Sequence, residues 1–314
     1  TPAGYVSGRP GMKARSVAVR YRLEAWVAFA LLWLLERLRP DHSSSLLGLF
    51  CRALGPWLPT SRIIRRNLEL AMPELDQQDH KRIVRGVWEN LGRTIGELPH
   101  LSALQENTPA GPGFEVQGAE HLAQQALRGG PVLFVSGHIG NWEMLPPAVA
   151  RHGTPFASFY RAAANPLVDA LLRSLRNKAM GATPVPLFAK GAKGARGALA
   201  YVSGGGRVGM LVDQKMNDGI EATFFNRPSM TAPALAAMAL RYRCPVIPGY
   251  VERLGPARLR IVVEAPLELP DTGDKRQDLQ ILVQMVNNRL EEWIRKNPSS
   301  WLWLHRRWAK ELYR

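Results

Sequence analysis

From position 114 to position 264, short apolar runs alternate with longer stretches of helical spacing, and this alternation constrains the fold more than any other feature of the chain. Strand candidates are 114–117, 131–136 (PVLFVS), 154–160, 184–188, 207–212 (RVGMLV), 221–225, 245–251 and 258–264. Helix candidates are 119–128, 141–151, 166–179, 194–203, 231–242 and 275–296. A chain that alternates in this way predicts an α/β fold, a mostly parallel central sheet flanked by helices. The pair 245–251 and 258–264 is expected to add an antiparallel edge. Upstream, 43–55 and 77–98 have helical spacing, with Ile83, Val84, Val87, Leu91 and Ile95 on one stripe. The Pro/Gly run 107–113 (NTPAGPG) is the best boundary. What precedes it is too small and too apolar to stand alone, so 41–106 reads as a helical preface packed on a core of 107–314.

The N-terminal region suggests a membrane. Residues 1–22 read as a flexible basic leader carrying Lys13, Arg15, Arg20 and Arg22, and Met12 is a candidate start. The segment 23–40 holds the unbroken apolar run Ala25–Leu35. Roughly 16 apolar-flanked residues make about 24 Å of helix, slightly short of a ~30 Å hydrocarbon core. Glu36, Arg37 and Arg39 follow where a secretory signal would place its small-residue cleavage site. The expectation is a retained membrane-anchoring helix, half-inserted, tilted or spanning; a buried core helix is the alternative. Trp26 and Trp33 suit an interface as well as a core.

The 314 residues carry 41 Lys and Arg against 26 Asp and Glu, a net charge of +15, which favours an anionic partner surface. Only two cysteines, Cys51 and Cys244, are present, so no disulfide framework or paired zinc signature exists. HExxH, GxSxG and GxxxxGK[ST] are absent, and no cofactor or metal is expected. Gly204, Gly206 and Gly209 satisfy GxGxxG, but they precede a strand instead of following one, which rejects dinucleotide binding.

The strongest chemical feature is SGHIGNWE at 136–143. It follows an apolar strand and opens a helix, the place where open α/β sheets build their sites. Five helical residues separate side chains by about 140°, so His138 and Glu143 meet only if His138 lies in the turn. Glu143 would then hold one imidazole nitrogen and leave the other free as a general base. A loop histidine beside an N-terminal helix carboxylate is the bland alternative. Gly140 and Asn141 mark the turn, and the helix that follows offers backbone N–H groups for an oxyanion. Asp213 ends a central strand, where it can bond to the surroundings of the histidine or simply pack and cap. Lys190, Lys193 and Arg196 share a face that suits phosphate or plain solvent. Thr231 reads as the N-cap of the helix 231–242.

HIGNWE has the HxxxxE form of the HxxxxD/E signature of glycerolipid acyltransferases. It is followed in order by FYRAAANPLVD (159–169), GMLVDQ (209–214), ATFFNRPSMTAPALA (222–236) and SSWLWLHRRW (299–308). With these, the chain resembles the lipid A late acyltransferases, the lauroyl and myristoyl transferases of lipopolysaccharide assembly. Phosphatidylinositol mannoside acyltransferases share much of the pattern. The resemblance implies a glycerolipid-acyltransferase-like fold and an acyl chain moved from an acyl-carrier-protein thioester to a hydroxyl of a lipid A precursor. His138 would be the base and Glu143 its orienting partner, at a bacterial inner membrane with the site facing the cytoplasm.

Further residues follow from the same resemblance. Arg161 would lie near the groove, suited to phosphate or oxyanion, with a surface salt bridge as the alternative. Asn165, followed by Pro166, would sit beside it and is better suited to cap a helix than to touch substrate. Arg227 beside Phe224 and Phe225 would read a phosphate. Arg306 and Arg307 match a terminal basic pair implied to hold the acceptor phosphate. Asn226 replaces the family glycine, and asparagine tolerates the left-handed turn required there. The C-terminal mixture of Trp293, Trp301, Trp303 and Trp308 with basic residues suits a headgroup layer, or single-stranded nucleic acid in the competing reading. The expected partners are an acyl carrier protein, a phosphorylated glycolipid acceptor and an anionic inner membrane, with no nucleic acid. An acyl-CoA enzyme acting on another glycolipid or glycerolipid, and a non-catalytic membrane-surface or nucleic-acid-binding protein, remain open.

Overall fold

A computed structural model describes residues 12–108 and 111–313. Residues 1–11 of the expected leader and the centre of the 107–113 boundary lie outside the described residues. Four helices come first: α1 (Met12–Glu36), α2 (Pro40–Leu54), α3 (Ser61–Ala71) and α4 (Gln77–Glu97). The helix α1 begins well before the expected anchor, so residues 12–22 of the expected leader are helical. Among the described residues, no helix is long and apolar enough to cross a membrane. The charges that interrupt α1 at Arg20, Arg22 and Glu24 are the physical reason. The sequence reading missed α3, whose short amphipathic stretch lies between prolines.

The core sheet has seven strands: β1 (Gly113–Gln117), β2 (Leu133–Ser136), β3 (Ala157–Tyr160), β4 (Leu187–Ala189), β5 (Val208–Leu211), β8 (Val246–Gly255) and β9 (Arg258–Val263). Their spatial order is β1-β9-β8-β2-β5-β3-β4. Every neighbouring pair is parallel except β8 with β9. That antiparallel pair was expected at the edge, but β1 closes over β9 in parallel register. The helices α5 (Ala119–Arg128), α6 (Leu145–Arg151), α7 (Pro166–Met180), α8 (Ala192–Ser203), α9 (Ala234–Tyr242) and α10 (Lys275–Lys296) connect and cover the strands.

Strand alternation sorts the core into two layers. Leu133 and Val135 of β2 belong to the layer that includes Leu235 of α9 and Leu282 of α10, while Val132 and Phe134 belong to the one that includes Leu122 of α5 and Ala148 of α6. With apolar helices on both faces, β2 is buried at every position, which explains its continuous apolar sequence.

A separate hairpin, β6 (Ile220–Phe224) with β7 (Arg227–Thr231), lies outside the sheet. Phe225 and Asn226 form its two-residue turn with φ of 49° and 55°, so Asn226 does adopt the left-handed conformation. Thr231 is the last residue of β7 instead of a helix cap, because α9 begins only at Ala234. The four C-terminal tryptophans correct another expectation. Trp301, Trp303 and Trp308 are buried in the core against Phe224 and Phe225, and Trp293 is buried against Tyr250, all away from any headgroup layer or nucleic acid.

The preface helices are bolted to the core by buried polar groups. Gly96 lets α2 approach α4 so closely that a Cβ there would lie 2.6 Å from the Ser43 carbonyl oxygen. The fully buried Glu97 accepts from Ser44 Oγ at 2.6 Å and from the Ala257 amide at 3.0 Å, and it pairs with Arg253 of β8. Removing one member of a buried ion pair strands the other, at a cost of about 3–5 kcal/mol. Glu97→Ala should therefore lower unfolding free energy by about that amount in denaturant titration. A loss under about 1 kcal/mol would show that Arg253 finds another partner.

Candidate active site

The parallel pairing of β2 with β5, Leu133 against Val208 through Ser136 against Leu211, brings the ends of both strands together. His138 lies in the turn two residues past β2, and Asp213 two residues past β5. The Asp213 carboxylate is fully buried and accepts three hydrogen bonds. Oδ1 takes Nδ1–H of His138 at 2.8 Å. Oδ2 takes the His138 backbone N–H at 2.9 Å and the Trp301 indole N–H at 2.7 Å.

These contacts set the charges. Burial alone would raise the pKa of Asp213, but the charge and hydrogen bonds of His138 hold it well below the usual carboxylate range. For His138 burial works to lower the pKa, yet the charge and hydrogen bond of Asp213 outweigh it, and Glu143 adds at longer range; the net shift is upward. An ionised carboxylate only accepts, so Nδ1 carries the proton and the Nε2 lone pair is left over. Nε2 has no hydrogen-bond partner among the described residues, and the side chain is 19% exposed. The Trp142 ring meets the imidazole edge-on, with centroids 5.1 Å apart.

Glu143 does not make the expected bond to His138. It lies in a 3₁₀ turn, Trp142–Met144, and its two oxygens accept from Nε and Nη2 of Arg176 on α7 at 2.8 and 2.7 Å. The planar fork of arginine matches a carboxylate at both oxygens, which a single imidazole nitrogen cannot do. The turn itself is clamped. Gly140 has φ of 61°, and a Cβ there would lie 2.1 Å from the Val251 carbonyl oxygen, so only glycine fits. Its N–H donates to Ser300 O at 2.9 Å, which removes it from the expected oxyanion role. Asn141 is buried and donates to Glu97 Oε2 at 2.7 Å, a structural contact.

The other expected residues separate into open and closed groups. Arg161 is exposed just past β3, with no hydrogen bond or ion pair among the described residues; the salt-bridge reading does not apply. Lys190, just past β4, and Lys193 and Arg196, in the first turns of α8, are exposed. Asn165 caps α7 by accepting from the Leu167 amide at 3.0 Å and reaches α1 through Tyr21 O at 2.8 Å. Arg227 donates to Leu70 O at 2.8 Å and ties the hairpin to α3. Arg307 is fully buried, bonded to Ser229, Met230 O and Thr231, and burial brings its guanidinium down to about 10. It is closed to any phosphate. Arg306 is exposed and stacks over Tyr313.

Sequence reasoning missed Arg176, Glu97, Asn90 and His305. Burial lowers the pKa of His305, and its Nε2 lies 3.4 Å from Asp213 O. Only its place in the terminal HRRW run could have drawn attention to it.

The profile of the bacterial lipid A biosynthesis acyltransferases matches residues 9–310, nearly the whole chain. The chain belongs to that family. Its members transfer an acyl group to a lipid, so this lipid A acyltransferase-family protein is an O-acyltransferase with an acyl donor and a lipid acceptor. A search of curated proteins returned no match. A search of solved structures found similarity to the crystal structure of the 1-acyl-sn-glycerophosphate (LPA) acyltransferase PlsC from Thermotoga maritima. That likeness has 14% identity and a TM-score of 0.36, covering 79% of this chain and 97% of that one. The assignment rests on the family match.

In this acyltransferase the two carboxylates should be separable by titration of His138. Its NMR pKa is expected above the ordinary ~6.5 in the wild type. Asp213→Asn should drop it below that value, because burial then outweighs the more distant charge of Glu143, while Glu143→Gln should lower it less. A larger drop in Glu143→Gln would reverse the order of the two groups. Because folding raises this pKa, the imidazolium contributes stability that is complete below the unfolded value and lost as pH rises through the folded one.

Proposed function

We propose that His138 is the general base of this acyltransferase, oriented by Asp213, and that Glu143 serves the site indirectly by holding Arg176. The observation that carries this reading is the free, partly exposed Nε2 of a ring whose Nδ1 is tied to a buried carboxylate. An acceptor hydroxyl gives its proton to Nε2 while its oxygen attacks the carbonyl carbon of a thioester. The tetrahedral adduct collapses with cleavage of the C–S bond, and the imidazolium returns the proton to the leaving thiolate. No cofactor enters these steps.

We assign the donor to an acyl carrier protein and the acceptor to a phosphorylated lipid A precursor, at the cytoplasmic face of a bacterial inner membrane. The family membership supports the acceptor class, and the +15 charge favours both an acidic carrier and an anionic lipid. With Arg227 and Arg307 excluded, the exposed Arg161, Lys190, Lys193, Arg196 and Arg306 remain open to phosphate, and Arg161 is the one we favour. The membrane reading draws on a bare apolar surface. Trp26 is 69% exposed and Trp57 86%, and Leu23, Phe29 and Leu34 of α1 join Leu49 and Phe50 of α2 in being exposed. Soluble surfaces rarely expose so many large apolar groups. We infer that α1, α2 and the turn after α2 lie on the bilayer without crossing it.

Incubation of the purified protein with acyl carrier protein or coenzyme A thioesters and candidate lipids, followed by mass analysis, tests the reaction. Transfer from acyl carrier protein to a phosphorylated glycolipid is expected; transfer only from acyl-CoA would move the donor to the alternative. His138→Ala should lower turnover at least about 10³-fold, with the fold intact. Because the base must be neutral and its pKa is raised, activity should climb with pH through a midpoint above the ordinary histidine value. Near wild-type turnover of His138→Ala would end the base assignment. Changing Trp26, Phe29 and Trp57 together to Glu should weaken partitioning to phosphatidylglycerol vesicles about 100-fold or more; unchanged partitioning would remove the membrane surface from this face.

A further inference from the structure

The last segment of the chain runs across the catalytic turn. After α10, Ser300 O accepts from the Gly140 N–H at 2.9 Å, and the Leu302 N–H donates to His138 O at 3.0 Å. Ile139 and Trp301 thereby form an isolated antiparallel bridge. Asn90 of α4 fastens both strands of this bridge, donating to Gly140 O and Ser300 O at 3.1 Å each. Trp301 lies between these anchor points, wholly buried, and its indole N–H meets Asp213 Oδ2 at 2.7 Å.

An indole is a donor only, and a buried carboxylate needs every lone pair satisfied. Without Trp301, Oδ2 would keep one donor, the His138 backbone amide, and the carboxylate would be free to rock about it. The ring is fixed by its neighbours: Trp303 at 4.5 Å, His305 at 5.3 Å and Phe224 at 5.8 Å between centroids. It therefore supplies a rigid donor at a set angle.

We infer that Trp301 is a positioning residue: its indole N–H locks the Asp213 carboxylate in the plane that presents Oδ1 to His138, so the C-terminal strap completes the base. This inference rests on the reading of His138 as the base. It assigns to a core tryptophan a share in the chemistry, through Asp213 and without contact to substrate.

The sign of the effect follows from charge. The indole draws off part of the carboxylate charge that His138 otherwise feels. The other charged or titratable groups facing the imidazole or its partner are Glu143 from the 3₁₀ turn, Lys190 from the segment after β4, and His305 and Arg307 from the C-terminal segment. None of them bonds to Oδ2, so none replaces the indole. Loss of the indole should raise the His138 pKa and loosen the geometry together.

Trp301→Phe keeps an aromatic ring and removes the N–H. It should move the acidic limb of the kcat–pH profile upward by about half a unit and lower plateau kcat about tenfold. KM for the acceptor should stay near its wild-type value. Trp308→Phe is the matched control, because that buried indole donates to the Phe224 carbonyl at 3.1 Å and not to Asp213. It should cost stability while leaving the limb in place. Wild-type protein labelled with ¹⁵N-tryptophan decides the matter if Trp301→Phe fails to fold. The indole signal most displaced by Asp213→Asn should shift in the wild type with the same midpoint as the His138 ring. A limb in Trp301→Phe that is unmoved or lowered, an equal shift in Trp308→Phe, or an indole signal indifferent to His138 ionisation would each overturn the inference. Failure of the base assignment has a different signature: His138→Ala would remain active while the indole still followed the His138 titration.

Discussion

The buried Asp213 carboxylate is the interaction on which the site depends. A lone carboxylate in the interior is costly, and this one is tolerated because three donors converge on it, two from His138 in the turn after β2 and one from Trp301 in the C-terminal segment. The donors are a backbone amide, an imidazole and an indole. Each is fixed by structure that serves other ends, since the sheet register sets where β2 and β5 terminate and the C-terminal strap sets the indole. The result is an imidazole with one nitrogen committed and the other available.

Around this centre the polar interior is continuous. Gly140 O is held by Asn90 and Thr94, Asn141 by Glu97, and Glu97 by Arg253, which itself donates to Asn90 Oδ1 at 2.9 Å. The helix α4 thus acts as a splint between the catalytic turn and the strand β8. Bonded buried networks of this kind hold a defined geometry, and of the Asn90, Thr94, Glu97, Asn141 and Arg253 side chains only Asn141 Oδ1 is buried without a hydrogen-bond partner among the described residues. The helix α2 packs on this splint through Ser43 and Ser44, so one of the elements inferred to meet lipid is joined to the catalytic turn by hydrogen-bonded side chains.

Local pattern made much of this legible. Most strands and helices from 113 to 296 could be read from periodicity, though β7, interrupted by Pro228, could not, and SGHIGNWE marked the place where a strand end and a turn build a site. The pairing within the site was legible only in part: Asp213 was expected near the histidine as one reading, but Glu143 was the expected partner of the imidazole. Glu143 stands near His138 in sequence and Asp213 far away, yet the sheet order sets β5 beside β2 and gives the imidazole to Asp213. Long-range register carries no local signal. The same cause explains Arg227 and Arg307, whose charge and aromatic neighbours suggested phosphate, while their actual partners are carbonyls and hydroxyls inside the fold. The terminal tryptophans were misleading for a related reason: aromatic and basic residues mixed in sequence can divide between core and surface. Trp301 and Trp303 did so inward, and Arg306 outward.

The central claim is that Asp213 holds Nδ1 of His138 protonated and leaves Nε2 as the base. The ¹⁵N chemical shifts of a histidine-labelled sample, recorded at a pH above the His138 midpoint, report the tautomer directly. The account predicts a protonated Nδ1 and an unprotonated Nε2 for His138, with that preference lost or reversed in Asp213→Asn. A wild-type ring carrying its proton on Nε2 would contradict it.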